Sequence, residues 1–289
     1  MKELKKINQT LPALEVDMGG MPILQPFPTN ELEQIDPFLL LHHGHIKVRE
    51  GENPLHAGVG PHPHRGFMPV TYVIDGELHH RDSFGNSSVV RPGGAQWLSA
   101  GRGIIHSERP SAKLAATGGA AEVIQLWINL PRANKMDTPS YLGIQAEDME
   151  SISIADGLTL ELISGEYKGS KGKANPPFPV FMAALKAEQN QKGKLSLPEG
   201  MDGGFYIIRG KGSVKGHGLI EEKSFYRLSM EGQELEIELE EGSLALFILG
   251  KPLNEPLATY GPFVMNTQTE IMETIRDYNQ GKMGILIEE

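Results

Sequence analysis

The apolar and polar positions of this chain follow the period of extended strands. In EVIQLWINLP (residues 122–131), Val123, Gln125, Trp127 and Asn129 share one face and Ile124, Leu126, Ile128 and Leu130 the other, as strand alternation requires. MPVTYVIDG (68–76) is a β-branched run closed by an Asp-Gly turn, and ELHHRDSFGN (77–86) is a second strand ending in a turn. SSVVRPGGAQWLSAGRGIIHSE (87–108) continues the meander through a Pro-Gly-Gly turn and a Gly-rich turn before Ile104. Short strands with a turn every 8 to 12 residues indicate an all-β sandwich or barrel. DPFLLLHHGHIKV (36–48) opens as a buried strand, and the first residues through MPILQPFPTN (21–30) are strand and turn, since the prolines there exclude a helix.

RANKMDTPSYLGIQAEDMES (132–151) is polar and turn-rich, so it is expected to link a first domain, residues 1–137, to a second, residues 138–289. GEYKGSKGKANPPFP (165–179) is an exposed loop by composition. From residue 195 onward the strand and turn pattern repeats: FYIIRG answers TYVIDG at an offset of roughly 135 residues, the signature of a duplicated barrel. Only NTQTEIMETIRDYNQGK (266–282) is helical in pattern. Thr267 and Glu270 form a capping box there, Ile271, Ile275 and Tyr278 an apolar face, and Gly281 a stop.

Composition adds limits. The 34 Gly and 20 Pro leave little room for long helices, and 289 residues suit two domains. The absence of cysteine excludes disulfides, thiolate ligands and cysteine nucleophiles, so any metal must be held by imidazole and carboxylate. A net charge of -10 opposes direct binding to nucleic acid. No apolar run approaches a membrane span and the first residues lack a signal core, so a cytoplasmic location is expected.

The candidate chemistry lies in PHPHRGF (61–67) and PGGAQWLSAGRGIIHSERP (92–110). His62 and His64, two residues apart on a strand, project to one face, and His106 and Glu108 repeat that spacing about forty residues later. Two such clamps on neighbouring strands would place three imidazoles and one carboxylate on one ion. That set suits Fe(II), Mn(II), Ni(II), Cu(II) or Zn(II) and leaves coordination positions open. Phe67, Gln96, Trp97 and Gln125 are candidate pocket walls. His42, His43 and His45 form a second group without a companion carboxylate motif and are expected at a barrel rim; His217 is expected at the surface, and the second barrel has no counterparts of the histidines.

PHPHRGF, VTYVIDG, HHRDS, PGGAQWLSAGRGIIHSERP, QLWINLP and GPFVMNT, in this order, resemble the pirin family, a two-barrel family within the cupin superfamily. The resemblance implies two cupin barrels facing each other, with a mononuclear metal, usually iron, in the N-terminal barrel only, and it places the ligands on His62, His64, His106 and Glu108. It implies either quercetin 2,3-dioxygenase activity, in which Glu108 also acts as base toward a small aromatic substrate oxidised by O2, or a regulatory protein that binds a protein partner, with its metal structural or redox-sensing. One departure stands out: Met68 occupies a position where many members have Glu, which can serve as ligand or base.

Overall fold

The computed structural model describes residues 3–288. In chain order the first strands are β1 (Ile7–Pro12), β2 (Leu14–Asp17), β3 (Pro22–Phe27), β4 (Phe38–Val48), β5 (Val59–His64), β6 (Phe67–Asp75), β7 (Leu78–Asp82), β8 (Ser87–Val90), β9 (Ala95–Ser99), β10 (Ile104–Pro110), β11 (Gly119–Asn129) and β12 (Ser140–Ile144). A short helix α1 (Ala112–Thr117) precedes β11, and α2 (Gln268–Asn279) lies near the C-terminal end. The chain is all-β with two cupin barrels, as the duplicated pattern predicts.

The first barrel is built from two sheets. One carries β12, β9, β6, β11 and β4 in that order and is continued by β3 and β2; the other runs β5-β10-β7-β8. Residues of β4, β6 and β11 from the first sheet and of β5, β7 and β10 from the second line one interior cavity. The second barrel repeats this plan strand for strand. Its large sheet runs β1, Ser224–Leu228, Asp202–Arg209, Leu244–Gly250, Val180–Ala187, Leu158–Ser164, Glu150–Ala155, and its small sheet Gln191–Ser196, Glu234–Leu239, Lys211–Val214, Gly218–Glu221. Strand Asp202–Arg209 holds the place of β6, beginning 135 residues later, as the repeat in the sequence indicates.

The interiors of the two barrels differ. Between the sheets of the second, Phe205 stacks on Tyr226 and Phe247 with ring centroids 5.2 and 5.1 Å away. Leu195, Leu235, Ile237 and Leu239, on the strands equivalent to β5 and β10, fill the rest. Where the first barrel has histidines, the second has a packed apolar core.

The contacts do not divide the chain at residue 137. One compact unit comprises residues up to Glu15, Leu24–Phe38 and Asp148–Pro252; the other comprises Val16–Ile23, Leu39–Glu147 and the chain from Leu253 onward. The expected linker is in fact an edge strand: β12 pairs antiparallel with β9 from Ser140↔Ser99 to Ile144↔Ala95. Its polar character is that of an exposed edge. In the second barrel the equivalent edge is supplied by β1, which pairs with Ser224–Leu228.

Although its place in the sequence suggests that it closes the second domain, helix α2 belongs to the first-barrel unit. Its capping box forms as the sequence indicates. The cause of its placement is electrostatic as well as apolar. The buried Arg65 Nη1 donates to Asp277 Oδ2 at 3.0 Å and to Thr274 Oγ1 at 3.3 Å, while Ile271 and Met283 pack with Phe263 and Met265.

Candidate metal centre

Strand geometry brings three imidazoles together. On β5, His62 and His64 lie either side of Pro63, and β10 runs antiparallel beside it with His106 opposite His62. His62 Nε2 and His64 Nε2 are 3.0 Å apart, close to the roughly 3 Å that separates neighbouring ligands on an octahedral ion with bonds of about 2.1 Å. Ring centroids of the three pairs lie 4.4 to 4.8 Å apart, and one donor atom from each of His62, His64 and His106 falls within 4.8 Å of the others.

The imidazoles are prepared for a cation. His62 Nδ1 donates to the Gly60 carbonyl at 2.8 Å, which leaves Nε2 as the lone-pair nitrogen of the neutral ring. Burial, reinforced by the neighbouring His62, holds His64 well below the usual histidine range, against the opposing effect of a hydrogen bond to the Pro262 backbone carbonyl. Burial and then the surrounding His64, His62 and His80 do the same for His106. Neutral imidazole is the form that ligates. Among the described residues the buried His106 Nε2 has no hydrogen-bond partner, a costly state for a polar atom unless something coordinates it. Its other nitrogen, Nδ1, lies 3.4 Å from His80 Nδ1, and His80 Nε2 is 2.9 Å from Asp82 Oδ2. The residues present therefore fit a mononuclear transition-metal ion.

Glu108 is placed differently from a simple repeat of the His-x-His spacing. The ladder shifts between His106 and Glu108, so that Glu108 faces Val59. Its carboxylate lines the same cavity as His62 and His64 but stands outside the tight three-histidine group. Gln96 Nε2 donates to Glu108 Oε1, and the Thr71 hydroxyl lies 2.9 Å from that oxygen and 3.0 Å from Gln125 Oε1. Gln96 and Thr71 thus hold the carboxylate beside the imidazoles.

The cavity measures about 300 Å³, at the small end of ligand pockets. Met18, Met21, Ile23, Leu40, Val123 and Trp127 give it apolar walls, and His42, Thr71, Glu108 and Gln125 supply polar atoms. Burial lowers His42 to about 4, so it is neutral in ordinary buffers. Of the four residues expected to shape the pocket, Gln125 lines it, Gln96 reaches in to Glu108, and Phe67 packs behind the ligands, 4.9 Å from the His64 ring and 4.3 Å from Trp127. Trp97 does not line it. Strand alternation sends Trp97 to the opposite face from Gln96, where its Nε1 lies 3.3 Å from Met68 Sδ.

Met68 is on that opposite face too, paired with Ile128 and not with the cavity-facing Trp127. A carboxylate at 68 would point away from the imidazoles, so Met68 removes nothing from this site. Trp127, Thr71 and His80 also belong to the site. Trp127 shares the face of Gln125 in the alternation of residues 122–131, a signal present in the sequence; the other two are identified only by their partners.

Fold and site define a two-barrel cupin with a candidate metal centre in one barrel. Residues 20–128 match the Pirin family and residues 182–284 match the Pirin C-terminal cupin domain. The chain belongs to the pirin family. It is 36% identical over 262 residues to a Pseudomonas aeruginosa protein provisionally named a quercetin 2,3-dioxygenase, covering 88% of each chain. It is 34% identical over 290 residues to Pirin of Rattus norvegicus, covering 98% of this chain and 95% of the relative. Among solved structures it is similar to a quercetin 2,3-dioxygenase from Acinetobacter baumannii, with 37% identity, a TM-score of 0.90, and coverage of 99% and 100% of the two chains.

Proposed function

We propose that this chain is a metal-dependent dioxygenase of flavonol (quercetin-like) substrates, opening the ring with O2 at a mononuclear centre, Fe(II) by preference, held by His62, His64, His106 and Glu108. The observation that carries the reading is that two of three clustered imidazoles and a carboxylate form part of the wall of one apolar cavity. The names of the Pseudomonas and Acinetobacter relatives support the same substrate class. A bound divalent ion would supply the Lewis acidity and redox capacity of the reaction.

The chain's own residues do the rest. Trp127, Ile23 and Met21 receive the flat aromatic rings and exclude water. Gln125 offers a hydrogen bond to a substrate oxygen, which orients the ring that is opened. Glu108 removes the proton of the substrate's enolic hydroxyl, and the donors Gln96 and Thr71 fix the carboxylate while it does so.

The test is aerobic quercetin turnover after anaerobic Fe(II) loading, in wild type and Glu108→Ala. Rapid loss in wild type and a fall of 100-fold or more in the variant, on the order of what general-base removal costs, supports the proposal. Equal slow loss in both, matching a protein-free control, would refute it and leave metal-dependent binding of a protein partner as the reading to pursue.

A further inference from the structure

The first barrel carries a second group of metal-ligating side chains on β4 and β11, adjacent strands of the sheet that walls the cavity. On β4, His42, Gly44 and His45 line the cavity, and the buried His43 stands next to His45. On the adjacent β11, Val123, Gln125 and Trp127 line the cavity, and Glu122, just before a register shift in the ladder, meets the two histidines. His43 Nε2 lies 2.9 Å and His45 Nε2 3.7 Å from the same atom, Glu122 Oε1. One donor atom from each of the three residues falls within 4.8 Å of the others.

These distances select a ligand. Three donors bound tetrahedrally at 2.0–2.1 Å stand about 3.3 Å apart, and 2.9 and 3.7 Å bracket that value. A plain histidine–carboxylate hydrogen bond needs one imidazole. The second approaches the same oxygen at a distance too long for a hydrogen bond, with its ring nearly parallel to the first and 5.6 Å away. His43 and Glu122 are buried and His45 is half exposed, which holds two donors rigidly and leaves an approach from solvent. With no thiolate available, two imidazoles and one carboxylate suit a divalent ion of intermediate softness.

We propose that His43, His45 and Glu122 form a second metal site that takes Zn(II), with water in the fourth position, independent of the interior centre. It repeats the His-x-His arrangement of His62 and His64 on another strand, with the carboxylate delivered from a neighbouring strand.

The experiment is equilibrium dialysis of the intact metal-free chain against Zn(II), followed by elemental analysis. Wild type is expected to bind two equivalents. His106→Ala should keep the equivalent at His43, His45 and Glu122, and His45→Asn should keep the interior one. Glu122→Gln provides a second variant of the proposed site, and a zinc-edge anomalous map of wild-type crystals locates the ion without any substitution. Loss of one equivalent in either His45→Asn or Glu122→Gln, with density between His43, His45 and Glu122 in the wild type, supports the site. A single equivalent in wild type, or two in both of those variants, with no density there, would overturn it.

Discussion

The chain Asp82–His80–His106 sets an expectation for metal affinity that is independent of turnover. His80 and Asp82 side chains are fully buried, joined at 2.9 Å, and His80 Nδ1 stands 3.4 Å from His106 Nδ1. When His106 binds a cation through Nε2, its Nδ1 carries the proton and points at His80, whose own Nε2 proton is committed to Asp82. The informative substitution is His80→Phe. It retains a flat ring against Tyr141, which stacks on His80 at 3.8 Å and 6°. It also leaves Asp82 its hydrogen bonds from Phe84 N and Asn86. What it removes is the acceptor for His106. Loss of such a partner costs metal affinity about 10–100-fold, or roughly 1.4–2.7 kcal/mol at 1.36 kcal/mol per decade. The assay is competition of Fe(II) or Zn(II) against a chelator, with thermal unfolding as the control for folding. Zinc is scored for the interior equivalent on a background of His45→Asn. Adding Asp82→Asn to His80→Phe should cost little more affinity, because the pair acts as one chain. An affinity for His80→Phe within twofold of wild type would refute the reasoning.

Other expectations concern stability. Burial brings Lys135 down from 10.5 to about 7, against the opposing pull of Glu255 and Glu270, while its Nζ donates to the Gly66 and Val264 carbonyls and Asn129 Oδ1. The unfolded chain holds that proton more tightly, so this group makes stability rise with pH between about 7 and 10.5, by at most about 1.4 kcal/mol per pH unit. Denaturant midpoints across that window should lose this component of the slope in Lys135→Met; an unchanged slope would contradict the assignment. Glu288→Gln breaks a largely buried pair with Arg109, whose Nη2 lies 2.8 Å from Glu288 Oε2, at a cost on the order of 3 kcal/mol. Calorimetry should show a lower melting temperature, whereas a shift no larger than that of an exposed control pair would count against it. Phe205→Ala empties the centre of the second barrel and should cost about 3–5 kcal/mol, read by urea denaturation, with interior metal affinity unchanged.

Much of this was legible in the residues. Alternation fixed the inward direction of His62 and His64, and the repeated Gly-turn pattern disclosed the second barrel. Other features depended on pairings that the local pattern does not encode. The register shift between His106 and Glu108 leaves the i, i+2 spacing intact and moves the carboxylate to Gln96 and Thr71. The histidines of β4 read as a rim because Glu122, their acidic neighbour, is 79 residues from His43 in the chain. Residues 132–151 resemble a linker because an edge strand keeps a polar face, and nothing near α2 in sequence shows that Asp277 meets Arg65. Gly66, at φ 85°, illustrates the same limit: a Cβ there would collide with the Val264 carbonyl oxygen, a contact from almost 200 residues away.

The proposed activity of the first-barrel cavity is opening of a flavonol ring with O2. Its most direct measurement is quercetin oxidation under oxygen-18 gas by the Fe(II)-loaded chain, with mass analysis of the product. A ring-opened product carrying both labelled atoms is expected from wild type and not from His106→Ala. Unlabelled product, or labelled product formed equally well by His106→Ala, would contradict it.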